Sequence, residues 1–393
     1  MPPLTVRLAT SDSILELDRA TGRLVSLRHR AAPEQELVQA REDDPVFVIQ
    51  YLDGSQRFRQ ISSRQAEQVV VESEAVGGVT FDFLRLGGLD LNVSVRVRAG
   101  ADDPLSYWSL TLQNGTGLLI TDVQFPFVVA PYRMGGAPGS ERLLWPVGAG
   151  VVLEAPLPPD LEPDSPHAWQ MRPENSDSLQ YPGYTCAQLL AYYNDRAGIY
   201  LACQDPDGWV KQIKPVHHEP GLRLGLNHVG DWPRPGTRAL EYEVVLGTFS
   251  GDWYTAAELY RGWSLRQPWA RTPLSERRDV PRWLLDSPPH IIVRLQGELD
   301  FGPTLPKTEF LPYVKTLPLL GALAERVAAP VTPVIMAWER PGPWVYPDCF
   351  PPVGGEAALR EFTGLARERG WHIGTFCNGT RWVTGHFWSG YDG

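Results

Sequence analysis

The stretch "SILELDRATGRLVSLRH", residues 13–29, alternates apolar and polar side chains on both sides of Ala20-Thr21-Gly22. A period of two puts one face of a strand in a core and the other in water. Two such runs around a Gly-bearing break predict a β-hairpin. The pattern recurs outward in "PVFVIQYL" (45–52), "QVVVESEA" (68–75), "VTFDFLRL" (79–86), "DLNVSVRVRAG" (90–100) and "YWSLTLQN" (107–114). It continues in "GLLITDVQFPFVV" (117–129), "AQLLAYYN" (187–194), "GIYLACQD" (198–205) and "ALEYEVVLGTF" (239–249). So many half-buried strands with almost no helical periodicity predict a large antiparallel sandwich over residues 1–250. Residues 132–182, rich in Pro and Gly, read as long surface loops.

At residue 250 the period changes. "GDWYTAAELYRGWSLRQPW" sets Ala256, Leu259, Tyr260 and Trp263 at helical spacing, with Asp252 placed as an N-cap and Pro268 as a stop. A polar, Pro-bearing stretch follows, so residues 251–289 read as a helical linker. From His290 the chain runs strand (290–297), helix (second half of 310–328), strand (331–338), helix (355–370) and strand (371–379). In the second of these helices Leu359, Phe362 and Leu365/Ala366 share a face, and Gly370 suits the C′ position. That rhythm predicts a parallel α/β module over 290–393. A (β/α)₈ barrel takes about 250 residues, so the expectation is the first three strands of such a barrel, truncated.

Composition narrows the function. The chain of 393 residues holds 37 Pro, about twice the usual share of about 5%, and 14 Trp. Trp is ordinarily core, and otherwise a flat surface for ligands such as sugar rings. Net charge is −10 with no Lys/Arg-rich run, which argues against nucleic acid or an anionic membrane as partner. No basic start followed by an apolar stretch opens the chain, and no run of about 18 apolar residues occurs. Cys186, Cys203, Cys349 and Cys377 are scattered with no CxxC pair, so neither a disulfide framework nor a zinc site is expected, and a cytoplasmic setting is the default. His217-His218-Glu219 does not make a metal site, because adjacent strand residues face opposite ways. With no GxGxxG, Walker loop or GxSxG, no cofactor is expected.

The order of parts resembles a group of bacterial glycoside hydrolases, among them alpha-galactosidases and endo-alpha-N-acetylgalactosaminidases. The resemblance is carried by "ILELDRATGRLVSLRH", "YPGYTCAQLLAYYNDRAGIYLACQDPDGWVK" (181–211), "GDWYTAAELYRGWSLRQPW" and the barrel start through "AWERPGPWVYPDCFPP" (337–352). It implies a galactose-mutarotase-like β-supersandwich leading into a (β/α)₈ barrel, and a carbohydrate substrate. In such relatives the catalytic carboxylates sit on the fourth and later barrel strands, so none is transferred to this chain. The competing readings are a non-catalytic carbohydrate-binding module and a polysaccharide lyase or epimerase. A lyase needs a Tyr/His cluster on the sandwich, for which His167, Tyr181, Tyr184 and His228 are available.

Barrel enzymes collect their binding groups at the C-terminal ends of the strands. The first end gives Gln296-Gly297-Glu298-Leu299-Asp300. The second gives Trp338 and Glu339, an aromatic plane beside an acceptor for two sugar hydroxyls, against a role for Trp338 in capping the core and an ion pair of Glu339 with Arg340 or Arg294. The Pro-braced loop after it offers Trp344 and Tyr346 as platforms and Asp348 as a hydroxyl acceptor, against a turn-capping role for Asp348. The third end offers Asn378 and Trp382.

Overall fold

The computed structural model describes residues 4–75, 77–156, 180–230, 232, 235–286, 288–297, 305–339 and 350–376. The chain divides into two compact units, Met1–Arg271 and Thr272–Gly393. Among the described residues, no helix is long and apolar enough to cross a membrane.

The first unit is built from antiparallel sheets. Ser13–Asp18 pairs with Leu24–His29 as the opening hairpin, and Thr5–Ala9 adds a third strand. The turn forms because Asp18 Oδ1 accepts from the Ala20 and Thr21 amides and from Thr21 Oγ1, at 2.8–3.0 Å. Gly22 then takes φ 72°, and a Cβ there would meet the Phe81 and Phe83 rings at 3.1–3.2 Å, so glycine answers both demands. A seven-stranded sheet and a ten-stranded sheet hold the remaining described strands. Their strands alternate as the sequence requires: in Leu91–Ala99, Val93, Val95 and Val97 are buried, and in Leu105–Asn114, Trp108, Leu110 and Leu112 are. One apolar cluster joins these to Leu15 and Leu17 of the hairpin and to Ile49, Val123, Leu222 and Leu224 of the seven-stranded sheet. Each such side chain contributes about 1.5–3 kcal/mol.

Two expectations are corrected here. Residues 132–182 are not all loops: Arg142–Trp145 and Val151–Glu154 are paired strands. Trp145 is fully buried, and its Nε1 donates to the Ile213 carbonyl at 2.9 Å. The run 117–129 is also two strands, Leu119–Gln124 and Val128–Pro131, separated by "FPF", where Pro126 removes a ladder donor.

The two large sheets are tied by a buried ion pair. Asp205 follows the strand Gly198–Gln204 of the ten-stranded sheet, and Lys211 opens the strand Lys211–His218 of the seven-stranded one. Lys211 Nζ donates to Asp205 Oδ2 at 2.5 Å, to the Trp209 carbonyl at 2.6 Å and to Gln188 Oε1 at 3.0 Å. Both side chains are wholly buried, and the ammonium lies 4.5 Å from the Tyr242 ring centre and 4.9 Å from that of Tyr181. Beside it His228 is fixed in one tautomer. Its Nε2 donates to the Phe125 carbonyl at 2.7 Å, so Nδ1 accepts from the Tyr242 hydroxyl at 2.8 Å. Burial pushes this imidazole down from 6.5 to about 4.

The linker expected at 251–289 is divided between the units. Helix Trp253–Ser264 lies in the first, with Asp252 accepting from the Tyr254 amide and with Ala256 and Trp263 buried. The short helix Arg282–Leu285 lies in the second. There, strands His290–Arg294, Thr332–Met336 and Gly374–Thr375 pair in parallel, joined by helices Leu317–Val327 and Glu356–Glu368. Leu320, Ile335, Phe362 and Ala366 share its core.

Two outcomes test the first unit. Lys211→Met strands a carboxylate in the interior and is expected to cost about 3–5 kcal/mol in urea unfolding. Adding Asp205→Asn, which keeps the Oδ1 acceptor for the Asp207 and Gly208 amides, recovers more than half of that loss. For His228, the unfolded chain binds a proton between about pH 6.5 and 4 that the folded chain does not. Stability therefore falls as pH drops through that window, by on the order of 3 kcal/mol from this residue. Ring ¹⁵N shifts report a neutral His228 at pH 5.

Candidate functional site

The C-terminal ends of the parallel strands in the second unit are knitted together by backbone and side-chain hydrogen bonds. Leu295 N donates to the Met336 carbonyl at 3.0 Å, and Phe376 N to the Ile335 carbonyl at 2.9 Å. Beyond Met336 the chain turns through Ala337 at φ 54°, a left-handed conformation that a side chain disfavours. Gln296 holds that turn from the neighbouring strand. Its Nε2 donates to the carbonyls of both Ala337, at 3.0 Å, and Glu339, at 2.9 Å. Strained backbone held by a neighbouring side chain is a feature of binding and catalytic sites.

The turn delivers Trp338 and Glu339. Trp338 is only 6% exposed and belongs to the apolar core with Leu295, Tyr313 and Val353. Its Nε1 donates to the Phe376 carbonyl at 2.9 Å, and its ring meets Phe350 edge-on at 5.5 Å. The indole thus caps the core and walls the strand ends, leaving little open ring face. Glu339 is 8% exposed. Its Oε2 is buried with no hydrogen-bond partner among the described residues, as is Gln296 Oε1. Burial raises the Glu339 carboxyl above the ordinary 4.5, against a smaller lowering by backbone amides. Tyr313, whose hydroxyl donates to the Val353 carbonyl at 2.7 Å, is pushed up to about 12 by burial and by the Glu339 charge.

Of the residues singled out in sequence, Trp338 and Glu339 are thus brought together at the strand ends. Trp344, Tyr346, Asp348, Asn378 and Trp382 lie outside the described residues, as do Glu298, Asp300, Arg340 and His167. Gln296 had been read only as the end of a strand, yet it is the residue that positions Glu339. An amide just past an apolar run, two positions after Arg294, was the available signal.

On the sandwich, Tyr181 stacks on Lys211 and His228 has both ring nitrogens engaged in the core, whereas Tyr184 is exposed. His217 Nδ1 meets the Tyr132 hydroxyl at 3.0 Å, and His218 Nε2 meets Asp44 at 2.8 Å. Among the described residues, no group of three His, Cys, Asp or Glu is placed to hold a metal ion.

Known proteins share parts of this arrangement. A domain of unknown function, DUF6259, matches residues 238–389. A Bacteroides thetaiotaomicron protein described as "Putative glycoside hydrolase" is 24% identical over 196 residues, which are 49% of this chain and 26% of that protein. The structure of an alpha-N-acetylgalactosaminidase from Bifidobacterium bifidum in its Gal-NHAc-DNJ complex superposes with a TM-score of 0.64 at 16% identity. The superposition covers 94% of this chain and 58% of that one. The ligand-free form gives 0.61 with the same coverage. The chain therefore has the fold of the corresponding part of that enzyme and spans less than two thirds of the length of either relative.

Gln296→Leu removes both donors that hold the Ala337 turn and leaves two buried carbonyls without partners. We expect a loss of about 2–3 kcal/mol. In hydrogen exchange, the Leu295, Val353 and Phe376 amides should lose protection while those of the sandwich strands keep theirs.

Proposed function

We propose that this chain is part of a glycoside hydrolase, with a galactose-mutarotase-like sandwich followed by the first three strands of a (β/α)₈ barrel. The strand ends around Glu339 would form part of its sugar pocket. The observation that carries this reading is the buried Glu339 carboxylate, which has one oxygen unpartnered among the described residues and sits at the C-terminal end of the middle parallel strand. Removing a carboxylate from water without a counter-charge is costly. Two sugar hydroxyls would supply the missing donors. The likeness of fold to an alpha-N-acetylgalactosaminidase supports a hexose or N-acetylhexosamine as the class of ligand.

In this reading Glu339 is an acceptor, Gln296 its positioning residue and Trp338 the rigid back wall. Trp344, Tyr346, Asp348, Asn378 and Trp382 stand in the sequence where they would complete the pocket. No nucleophile or general acid is assigned. Hydrolysis needs two carboxyl groups about 5–10 Å apart, and among the described residues no second carboxylate acts on Glu339.

Calorimetric titration with a panel of 4-nitrophenyl α- and β-glycosides, including the α-N-acetylgalactosaminide, tests this. Glu339→Gln should weaken the best ligand at least tenfold. Because Glu339 accepts as a carboxylate and its proton affinity is raised, binding should weaken as pH falls, with a midpoint above 4.5, and the Gln variant should be flat. Failure of every glycoside to bind, or equal affinity in the variant, would remove the pocket from this place.

A further inference from the structure

The outer face of the seven-stranded sheet carries a second polar site, remote in sequence from Glu339 and independent of the reading given for it. Alternation turns Ile49, Ile61, Val123 and Leu226 of this sheet inward to the core. The residues between them turn outward, and the groove they line holds five amides, Gln50, Gln60, Gln124, Gln212 and Asn227, with one acid, Asp122, and the cations Lys214 and Arg223. Strand register lines them up in two rows. Gln60 faces Gln50, which faces Asp122; Gln212 faces Asn227, which faces Gln124. They floor an open groove of about 650 Å³, with Phe58, 67% exposed, among its lining residues.

The hydrogen bonds within this face are incomplete. Asn227 Nδ2 donates to Gln212 Oε1 at 3.0 Å, and Thr121 Oγ1 to Asp122 Oδ2 at 2.9 Å. Asp122 Oδ1, Asn227 Oδ1 and Arg223 Nε are nevertheless buried and without partners among the described residues. Asp122 is 7% exposed, and burial raises its carboxyl against a smaller lowering by hydrogen bonds from Thr121 and Asn227. Arg223 donates from Nη1 to Gln124 Oε1 at 2.7 Å and lays its guanidinium 4.9 Å from the centre of the Phe127 ring. No carboxylate among the described residues pairs with it. The nearest acid acting on it, Asp44, is engaged by His218 at 2.8 Å. Burial accordingly lowers the guanidinium to about 10, the mark of a desolvated cation short of counter-charge.

We propose that this groove is a binding site for a carboxylate-bearing saccharide, a uronic-acid oligosaccharide. Arg223 takes the carboxylate, Asp122 Oδ1 and Asn227 Oδ1 accept sugar hydroxyls, and Phe58 covers an apolar sugar face. A planar guanidinium matches a carboxylate with two parallel hydrogen bonds. The unpartnered oxygens match hydroxyl donors, and the in-register amides of Gln50, Gln60 and Gln124 present both donors and acceptors. A neutral glycan would leave the Arg223 charge uncompensated, which favours the acidic class.

The test is isothermal titration of the full chain with trisaccharides of galacturonate, glucuronate and mannuronate, and with neutral galacto-oligosaccharide. At least one uronate should bind, ten times or more tighter than the neutral sugar. Arg223→Gln and Asn227→Ala should each weaken it at least tenfold, and Glu339→Gln should leave it unchanged. Hydrogen exchange on the unaltered protein keeps the proposal falsifiable if a variant misfolds: the bound uronate should protect Val48–Leu52 and Leu119–Gln124. No binding of any uronate, equal binding of the neutral sugar, unchanged affinity in a folded Arg223→Gln, or protection elsewhere only would overturn it.

Discussion

The contact on which the sandwich depends is the ion pair of Lys211 with Asp205. Two charges taken wholly out of water carry a desolvation cost that their mutual attraction offsets only with good geometry and further hydrogen bonds. Here those are present. Gln188 accepts from the ammonium and donates from Nε2 to the Asp205 carbonyl at 2.9 Å, and Asp205 Oδ1 accepts from the Asp207 and Gly208 amides. The pair sits where the chain leaves one large sheet for the other, so it sets the register of that crossing rather than adding bulk stability. An apolar contact would tolerate a slip. A buried charge that loses its partner does not.

That same pair explains where the fold was readable from local pattern and where it was not. Strands such as Leu91–Ala99 and Leu105–Asn114 declare themselves through strict alternation of apolar and polar residues. Lys211–His218 does not, because it holds two Lys, a Pro and two His, and its buried Lys is acceptable only through partners on other segments. Gly221–His228 alternates, but its two Gly and its Arg and Asn weaken the signal. Arg142–Trp145 is too short for a period to emerge, and its burial rests on Trp145 reaching the Ile213 carbonyl across the sandwich. Local chemistry specifies strands facing water on one side, whereas strands stabilised by long-range polar contacts need the assembled core.

The candidate site follows the same division. The change of period at residue 290 and an apolar run ending in Trp-Glu pointed to the end of a parallel strand, and Trp338 and Glu339 lie there. What sequence left open was which way the indole faces. Phe350, Val353 and the Phe376 carbonyl, contributed by later segments, draw it into the core. The amide after the apolar run marked Gln296 as a strand end, but its positioning role rests on two carbonyls more than forty positions away. Spacing arguments see neighbours along a strand, and this contact runs between strands.

Glu339 and Arg223 pose one physical problem with opposite signs. Burial disfavours the charge on each, raising the carboxyl of the first and lowering the guanidinium of the second. Among the described residues, neither has an ion-pair partner of the kind that Lys211 gives Asp205. A fold selected for stability alone would be expected to replace such groups with apolar ones, since even a well-made buried pair is often no better than its hydrophobic counterpart. Each sits beside further buried polar atoms that lack a partner among the described residues, Gln296 Oε1 beside Glu339, and Asp122 Oδ1 and Asn227 Oδ1 in the groove with Arg223. A polyhydroxylated ligand supplies many donors and acceptors at fixed spacing, so it can complete several such groups at once where scattered waters would each have to be immobilised separately.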